Sequence, residues 1–138
     1  MKISTNSRYG LRFLAQLAQS GGRMTTMAIA HAEGISEKML ERIAAKLKRE
    51  GFVRSVKGIG GGYELVCPAD AITVTQILKV METPYLPHHC TENSEDCLMW
   101  KSCSMLPMWQ QIEQAICEVT DRYTVADIVR NADEKTKK

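Results

Sequence analysis

From Asn6 to Gln19 the apolar residues Leu11, Leu14, Leu17 and Ala18 recur at helical spacing, which predicts a first helix closed by the Gly21–Arg23 turn. Thr26 to Ala32 reads as a short second helix ended by Gly34, and Ser36 caps a third with Glu37 in its first turn. On the third helix Leu40, Ile43, Ala44 and Leu47 share one side, while Lys38, Glu41, Arg42, Ala45 and Arg49 share the other. Two runs of strand-forming residues follow, Phe52–Val56 and Tyr63–Val66, joined by the glycine-rich KGIGGG of Lys57–Gly62. Thr73 opens a fourth helix with a capping box completed by Gln76; its apolar stripe is Val74, Ile77, Leu78 and Met81. Pro84 and Pro87 interrupt the pattern. A long helix is then expected, capped by Ser104, with Pro107 tolerated in its first turn. Met105, Trp109, Ile112, Ile116, Val119 and Tyr123 alternate spacings of four and three along it, which is a heptad seam. A last helix over Thr124–Val129 is capped by Thr124 and Asp127.

These elements combine into a familiar order. Two helices joined by a tight glycine turn, the second basic on its outer face, form a helix-turn-helix, and a hairpin directly behind it is a wing. The expected fold is mainly α with a small β-hairpin wing: a winged helix-turn-helix DNA-binding region over 1–82. A cysteine-rich loop over 83–104 follows, then a dimerization helix and C-terminal helix over 104–131, then a flexible tail over 132–138.

Charge sharpens this picture. The net charge of +2 says little, but Ser36 to Lys57 holds seven basic residues against three acidic ones, a surface suited to a polyanion. Glu82 to Cys97 holds four acids and no Lys or Arg, so that stretch would repel one. No apolar run is long enough to cross a bilayer and the first residues carry no signal-peptide core, so a cytoplasmic protein is expected, without membrane contact. In a reducing compartment clustered cysteines point to metal or redox chemistry rather than disulfides, and the odd count of five agrees. There is no nucleophile–base arrangement, and the glycine-rich turn lacks the following helix and Lys-Ser/Thr of a phosphate loop, so an enzyme is not expected.

The opening MKISTNSRYGLR, the run EGISEKMLERIAAKLKREGFVRS, the wing VKGIGGGYEL and a three-cysteine loop before a long helix together resemble the IscR/NsrR-type winged-helix regulators. The likeness covers about Met1 to Asn131. It implies a homodimeric transcription factor, usually a repressor, on a palindromic double-stranded DNA operator. It also implies, for many members, a sensor of iron–sulfur, nitric oxide or redox status whose cluster sits on three loop cysteines and one further ligand. Some members carry no cluster.

Within that frame, Lys38 and Arg42 lie near the end of the recognition helix that enters the major groove. Arg42 can pair bidentately with guanine and Glu41 can accept from cytosine N4; the resemblance supports that glutamate as a sequence-selecting position. Ser36 can donate to a phosphate at the helix N-terminus. Arg8 and Tyr9 are backbone-contact positions, with core packing the alternative for Tyr9. Lys57 stands at the wing tip with Gly58, Gly60, Gly61 and Gly62 around it, a slender basic tip suited to a minor groove. Lys46 and Lys48 divide evenly between contact and a merely solvated face. Met105, Trp109, Ile112, Ile116 and Val119 are the expected dimer seam.

Cys90, Cys97 and Cys103 have polar neighbours, unlike Cys67 and Cys117, which fit ordinary buried thiols. Thiolates close in sequence with flexible chain between them can wrap a metal centre. The resemblance makes this an iron–sulfur cluster, [2Fe–2S] or [4Fe–4S]; zinc is the alternative, since three cysteines and a histidine suit it. The chain departs from the family at the fourth ligand. The histidine expected three residues after the last cysteine is Leu106, and the acidic N-terminal ligand of other members is Arg8. His89, Cys117 and His88 remain, with Glu92 as a carboxylate option. A cluster-free regulator answering a metabolite or partner protein is the runner-up. A small thiol-redox or electron-transfer protein would leave the basic helix and wing unexplained.

Overall fold

The structure is a computed structural model describing residues 3–82 and 97–136. Six α-helices and one hairpin are found among the described residues: α1 (Thr5–Ser20), α2 (Thr26–Glu33), α3 (Glu37–Arg49), β1 (Val53–Val56), β2 (Gly62–Leu65), α4 (Val74–Met81), α5 (Leu106–Thr120) and α6 (Val125–Thr136). The winged helix-turn-helix expected from the sequence is therefore present, and local chemistry explains its boundaries. Ser4, Thr25 and Ser36 each stand at a helix N-cap, and their side chains accept from the backbone N–H groups of Ser7, Ala28 and Met39. Gly21 and Gly34 close α1 and α2 in the left-handed conformation that spares a side chain. The capping box of Thr73 and Gln76 forms in both directions.

The core follows from the apolar stripes. Leu40, Ile43, Ala44 and Leu47 of α3 are buried, as their spacing required. On α1 the buried stripe is Ser7, Gly10, Phe13, Leu14 and Leu17, while Leu11 and Ala18 only flank it. The buried face includes Phe13 because α1 packs against α3, α4, α6 and β2 together; Tyr63 of β2 meets that ring edge-on, with centroids 5.8 Å apart. β1 and β2 pair antiparallel, with Val53 opposite Leu65 and Arg54 opposite Glu64. Met24 bridges Tyr63 through two backbone hydrogen bonds of 3.1 and 2.8 Å, tying the α1–α2 connection to the wing.

The C-terminal part departs from the sequence expectation in three ways. Ser104 does not cap the long helix: α5 begins at Leu106 behind Met105, which makes no side-chain cap, and Pro107 sits in the first turn. That helix stops at Thr120, so Tyr123 lies in the turn beyond it. The last helix runs to Thr136, so residues 132–136 are helical rather than a flexible tail.

The last helix also joins the head. Val74 N–H donates to Tyr123 C=O at 2.8 Å, and Val125 N–H donates to Ile72 C=O at 2.9 Å. Val125 is fully buried within the core of the head, and α6 lies along α1, where Gln19 reaches Asp133. The 1–82 head is thus completed by residues beyond 120.

Candidate nucleic-acid interface and cysteine segment

Exposed charges divide into those fixed by neighbours and those left free. Lys48 Nζ donates to Ser55 Oγ at 2.8 Å, and Arg49 pairs with Glu50 at 3.4 Å. Arg54 and Arg23 both hold Glu64, at 2.5 and 2.7 Å. The hydrogen bond from Arg23, then that from Arg54, keeps the Glu64 carboxyl below the usual carboxylate range. The side chains of Lys38, Glu41, Arg42 and Lys57 are exposed and make no hydrogen bond or ion pair among the described residues. The wing-flank and helix-end charges are therefore paired within the chain, and the outward groups of α3 remain available for a ligand.

The geometry of the free set is consistent. Glu37 opens α3, so Lys38, Glu41 and Arg42 fall in its first two turns, opposite the buried Leu40, Ile43, Ala44 and Leu47. Ser36 is exposed, but its oxygen is already the acceptor for Met39 N–H, at 3.3 Å; its hydroxyl proton stays available to a phosphate. Arg8 is exposed and donates to Thr5 Oγ1 at 3.3 Å. Tyr9 is half-buried and packs on the core, the alternative weighed for it from sequence.

The wing is stiff. Gly61 N–H donates to Gly58 C=O at 3.0 Å, closing a turn in which Gly60 has φ 72°. Positive φ at that position is what a type II turn demands of glycine. Lys57 is exposed beside it. The Arg23–Glu64–Arg54 bridge was not anticipated, although the hairpin register that sets Arg54 opposite Glu64 carries its signal.

The cysteine segment is partly in view. Cys97 and Cys103 are free, half-buried thiols flanking a 3-10 turn over Trp100–Ser102. Trp100 N–H donates to Cys97 C=O at 3.0 Å, and Leu106 N–H donates to Cys103 C=O at 3.3 Å, so the second thiol abuts the start of α5. Cys90, His88, His89 and Glu92 lie outside the described residues. Cys117 sits on α5 with its side chain toward α4, lining a small cavity with Thr75, Leu78, Ile116 and Thr120. Eleven helical steps separate it from Leu106, roughly 16 Å of rise, so within one chain it stands far from Cys103. Cys67 is also free, at the end of the wing. No group of three or more His, Cys, Asp or Glu side chains is arranged to hold a metal among the described residues.

A family profile described as an iron-dependent transcriptional regulator, Rrf2, matches residues 3–131. The chain belongs to the Rrf2 family. The HTH-type transcriptional regulator CymR of Bacillus subtilis is 36% identical over 135 residues, covering 96% of this chain and 93% of that protein. Its solved structure, described as that of the global cysteine regulator, superposes with a TM-score of 0.74 at 35% identity, covering 95% of this chain and 98% of the other. The IscR of T. potens superposes at 0.75 with 33% identity, covering 98% and 90%. The Rrf2-family relatives are transcriptional regulators, not enzymes, and the winged-helix fold is theirs. No helix among the described residues is long and apolar enough to cross a membrane.

Proposed function

We propose that this Rrf2-family regulator works as a homodimer on a palindromic DNA site, acting as a repressor, and reads iron–sulfur or redox/nitrosative status through Cys90, Cys97 and Cys103. The observation that carries the sensing part is the placement of Cys97 and Cys103. Both are unpaired, half-buried and set on either side of one turn that runs into α5. Soft thiolates in such a segment suit iron–sulfur or zinc chemistry. The fourth ligand would come from His89 or His88 of the same chain, or from Cys117 of a second copy, given the length of α5.

The dimer part rests on α5, none of whose residues is buried in the single chain. Glu113, Ile116, Cys117 and Thr120 turn toward α4. Of the expected seam, Ile116 is therefore turned to α4, and the remaining Met105, Trp109, Ile112 and Val119 lie roughly a quarter turn around the helix from that face. Met105 and Val119 are each 56% exposed. A second copy would cover this stripe by coiled-coil-like packing. Two recognition helices would then meet successive major grooves.

A second reading has its own support. CymR, similar over nearly the whole chain, is described as a cysteine regulator, and another CymR structure is described as an oxidized form. In that reading the thiols stay free or hold zinc, and the signal is a metabolite or a partner protein.

The deciding experiment is anaerobic purification and reconstitution with iron and sulfide, with visible absorption, metal and sulfide content measured. Broad visible absorption that disappears when Cys90, Cys97 or Cys103 is changed to Ala supports the first reading. Colourless protein that binds one zinc per chain, with Zn–S distances of about 2.3 Å, supports the second.

A further inference from the structure

The wing tip carries an isoleucine that folding does not use. Ile59 is 110% exposed, more than any other large apolar side chain among the described residues. It is nonetheless held in place. Gly58 and Gly60 flank it with φ of 95° and 72°, and the Gly61-to-Gly58 hydrogen bond closes the turn around it. A Cβ on Gly61 would collide with the carbonyl oxygens of Val56 and Gly58, so the turn is built for glycine there. Close below the turn, in the pair with Ser55, Tyr63 is tied to Met24 and packs on Phe13. The result is one branched hydrocarbon on a closed turn anchored to the head, with glycines for neighbours and Lys57 as the nearby cation.

We infer that Ile59 reads the minor groove: its side chain packs on the groove floor beneath the wing and favours A·T over G·C pairs there. This rests on the DNA-binding reading of the winged helix. In the minor groove an A·T pair presents only the acceptors N3 and O2, whereas a G·C pair adds the guanine 2-amino donor. That amino group stands up from the floor where a branched hydrocarbon would lie. Covering it strips its water without supplying an acceptor, which is penalised. A·T-rich steps also narrow the groove, bringing both walls against a slender tip. Apolar side chains placed in the minor groove are an established way to engage DNA shape. Lys57 and Ile59 then divide the work: the ammonium supplies salt-dependent attraction to phosphate, and the hydrocarbon supplies base-pair preference.

The test uses the full chain, as purified and after iron–sulfide reconstitution, to select sites from random duplex DNA. Wild type is compared with Ile59→Ser and Ile59→Val; both substitutions fall on a side chain without packing contacts, and circular dichroism confirms the fold. Affinities are then measured on the selected site with A·T, G·C or inosine·C at each position flanking the major-groove contacts. Inosine lacks the 2-amino group. Wild type is expected to bind the G·C site about tenfold more weakly than the A·T site, with inosine·C restoring affinity. Ile59→Val keeps this preference. Ile59→Ser binds all three alike, with unchanged selection at the recognition-helix positions. A wild type indifferent to the flanking pair, or an Ile59→Ser protein that keeps the penalty, overturns the inference while leaving DNA binding intact. If wild type selects no sequence in either form, the DNA-binding reading itself falls and takes this inference with it.

Discussion

The backbone N–H of Ser4 donates to the Glu82 carboxylate at 2.7 Å, joining two residues 78 positions apart. Ser4 is also the N-cap of α1, whose oxygen accepts from Ser7 N–H, and Glu82 follows directly on α4. One carboxylate thus pins the start of the helix that carries Arg8 to the point where the chain leaves the head for the cysteine segment. A Glu82→Ala protein should lose about 1–2 kcal/mol of stability in urea denaturation, the scale of a charged hydrogen bond half in water. Hydrogen exchange at the Ser4 amide should accelerate. Glu82→Gln, which keeps an acceptor oxygen, should lie between the two. An unchanged Ser4 exchange rate in Glu82→Ala would mean the bond is not maintained in solution.

The seam on α5 is testable by charge. Ile112 is only half-buried in the single chain, so Ile112→Asp should leave the head folded, as judged by circular dichroism. In a dimer it would place two carboxylates in an apolar contact, and light scattering should report monomers with loss of operator binding. A variant that stays dimeric would move the interface off this stripe.

Arg42 and Lys57 are both free cations, but they should fail differently. Arg42→Ala should weaken binding to the selected site by about 1–3 kcal/mol and relax preference at one base pair, as loss of a bidentate base contact does. Lys57→Ala should weaken binding evenly across sequences and flatten the dependence of affinity on salt. Fluorescence anisotropy on specific and scrambled duplexes across a salt series separates the two. An Arg42→Ala protein with unaltered selection would put α3 outside the groove.

Asp127 gives a pH signature to the last helix. It accepts from the Thr124 hydroxyl at 2.7 Å and from the Thr124 N–H at 2.8 Å, and pairs with Arg130. These contacts, the Thr124 hydroxyl first, hold its carboxyl at about 2, below the ordinary 3.8. The unfolded chain therefore binds this proton more readily than the folded one, so stability rises with pH through that window. The contribution is complete above 3.8 and is lost as pH falls toward about 2. The stability gap between wild type and Asp127→Asn should stay level near neutrality and close on acidification through that window. A gap that persists unchanged at about pH 2 would assign the effect to something other than the carboxylate charge.

Much of the head was legible from residues alone, and the reason is locality. Caps at Ser36 and Thr73, the glycine stop at Gly34 and the stripe Leu40–Ile43–Ala44–Leu47 act over three or four residues, so type and spacing determine them. The glycine-rich run similarly specifies a hairpin turn. The order of these elements was enough to anticipate the winged helix and the free face of α3.

Tertiary structure decided what depends on distant partners. Which α1 residues are buried depended on the distant elements packed around it, α3, α4, α6 and β2, whose Tyr63 meets Phe13 from fifty positions away. The start of α5 at Leu106 rather than behind Ser104, and the extension of α6 to Thr136, followed no local signal strong enough to set them. The burial of Val125 in the head comes from backbone pairing of 72–74 with 123–125, which no periodicity encodes. Cys117 shows the same limit: sequence left it open between a buried thiol and a fourth ligand, and the length of one helix separates it from Cys103. Residue type says what a side chain can bind; only the packed chain sets which side chains come within reach.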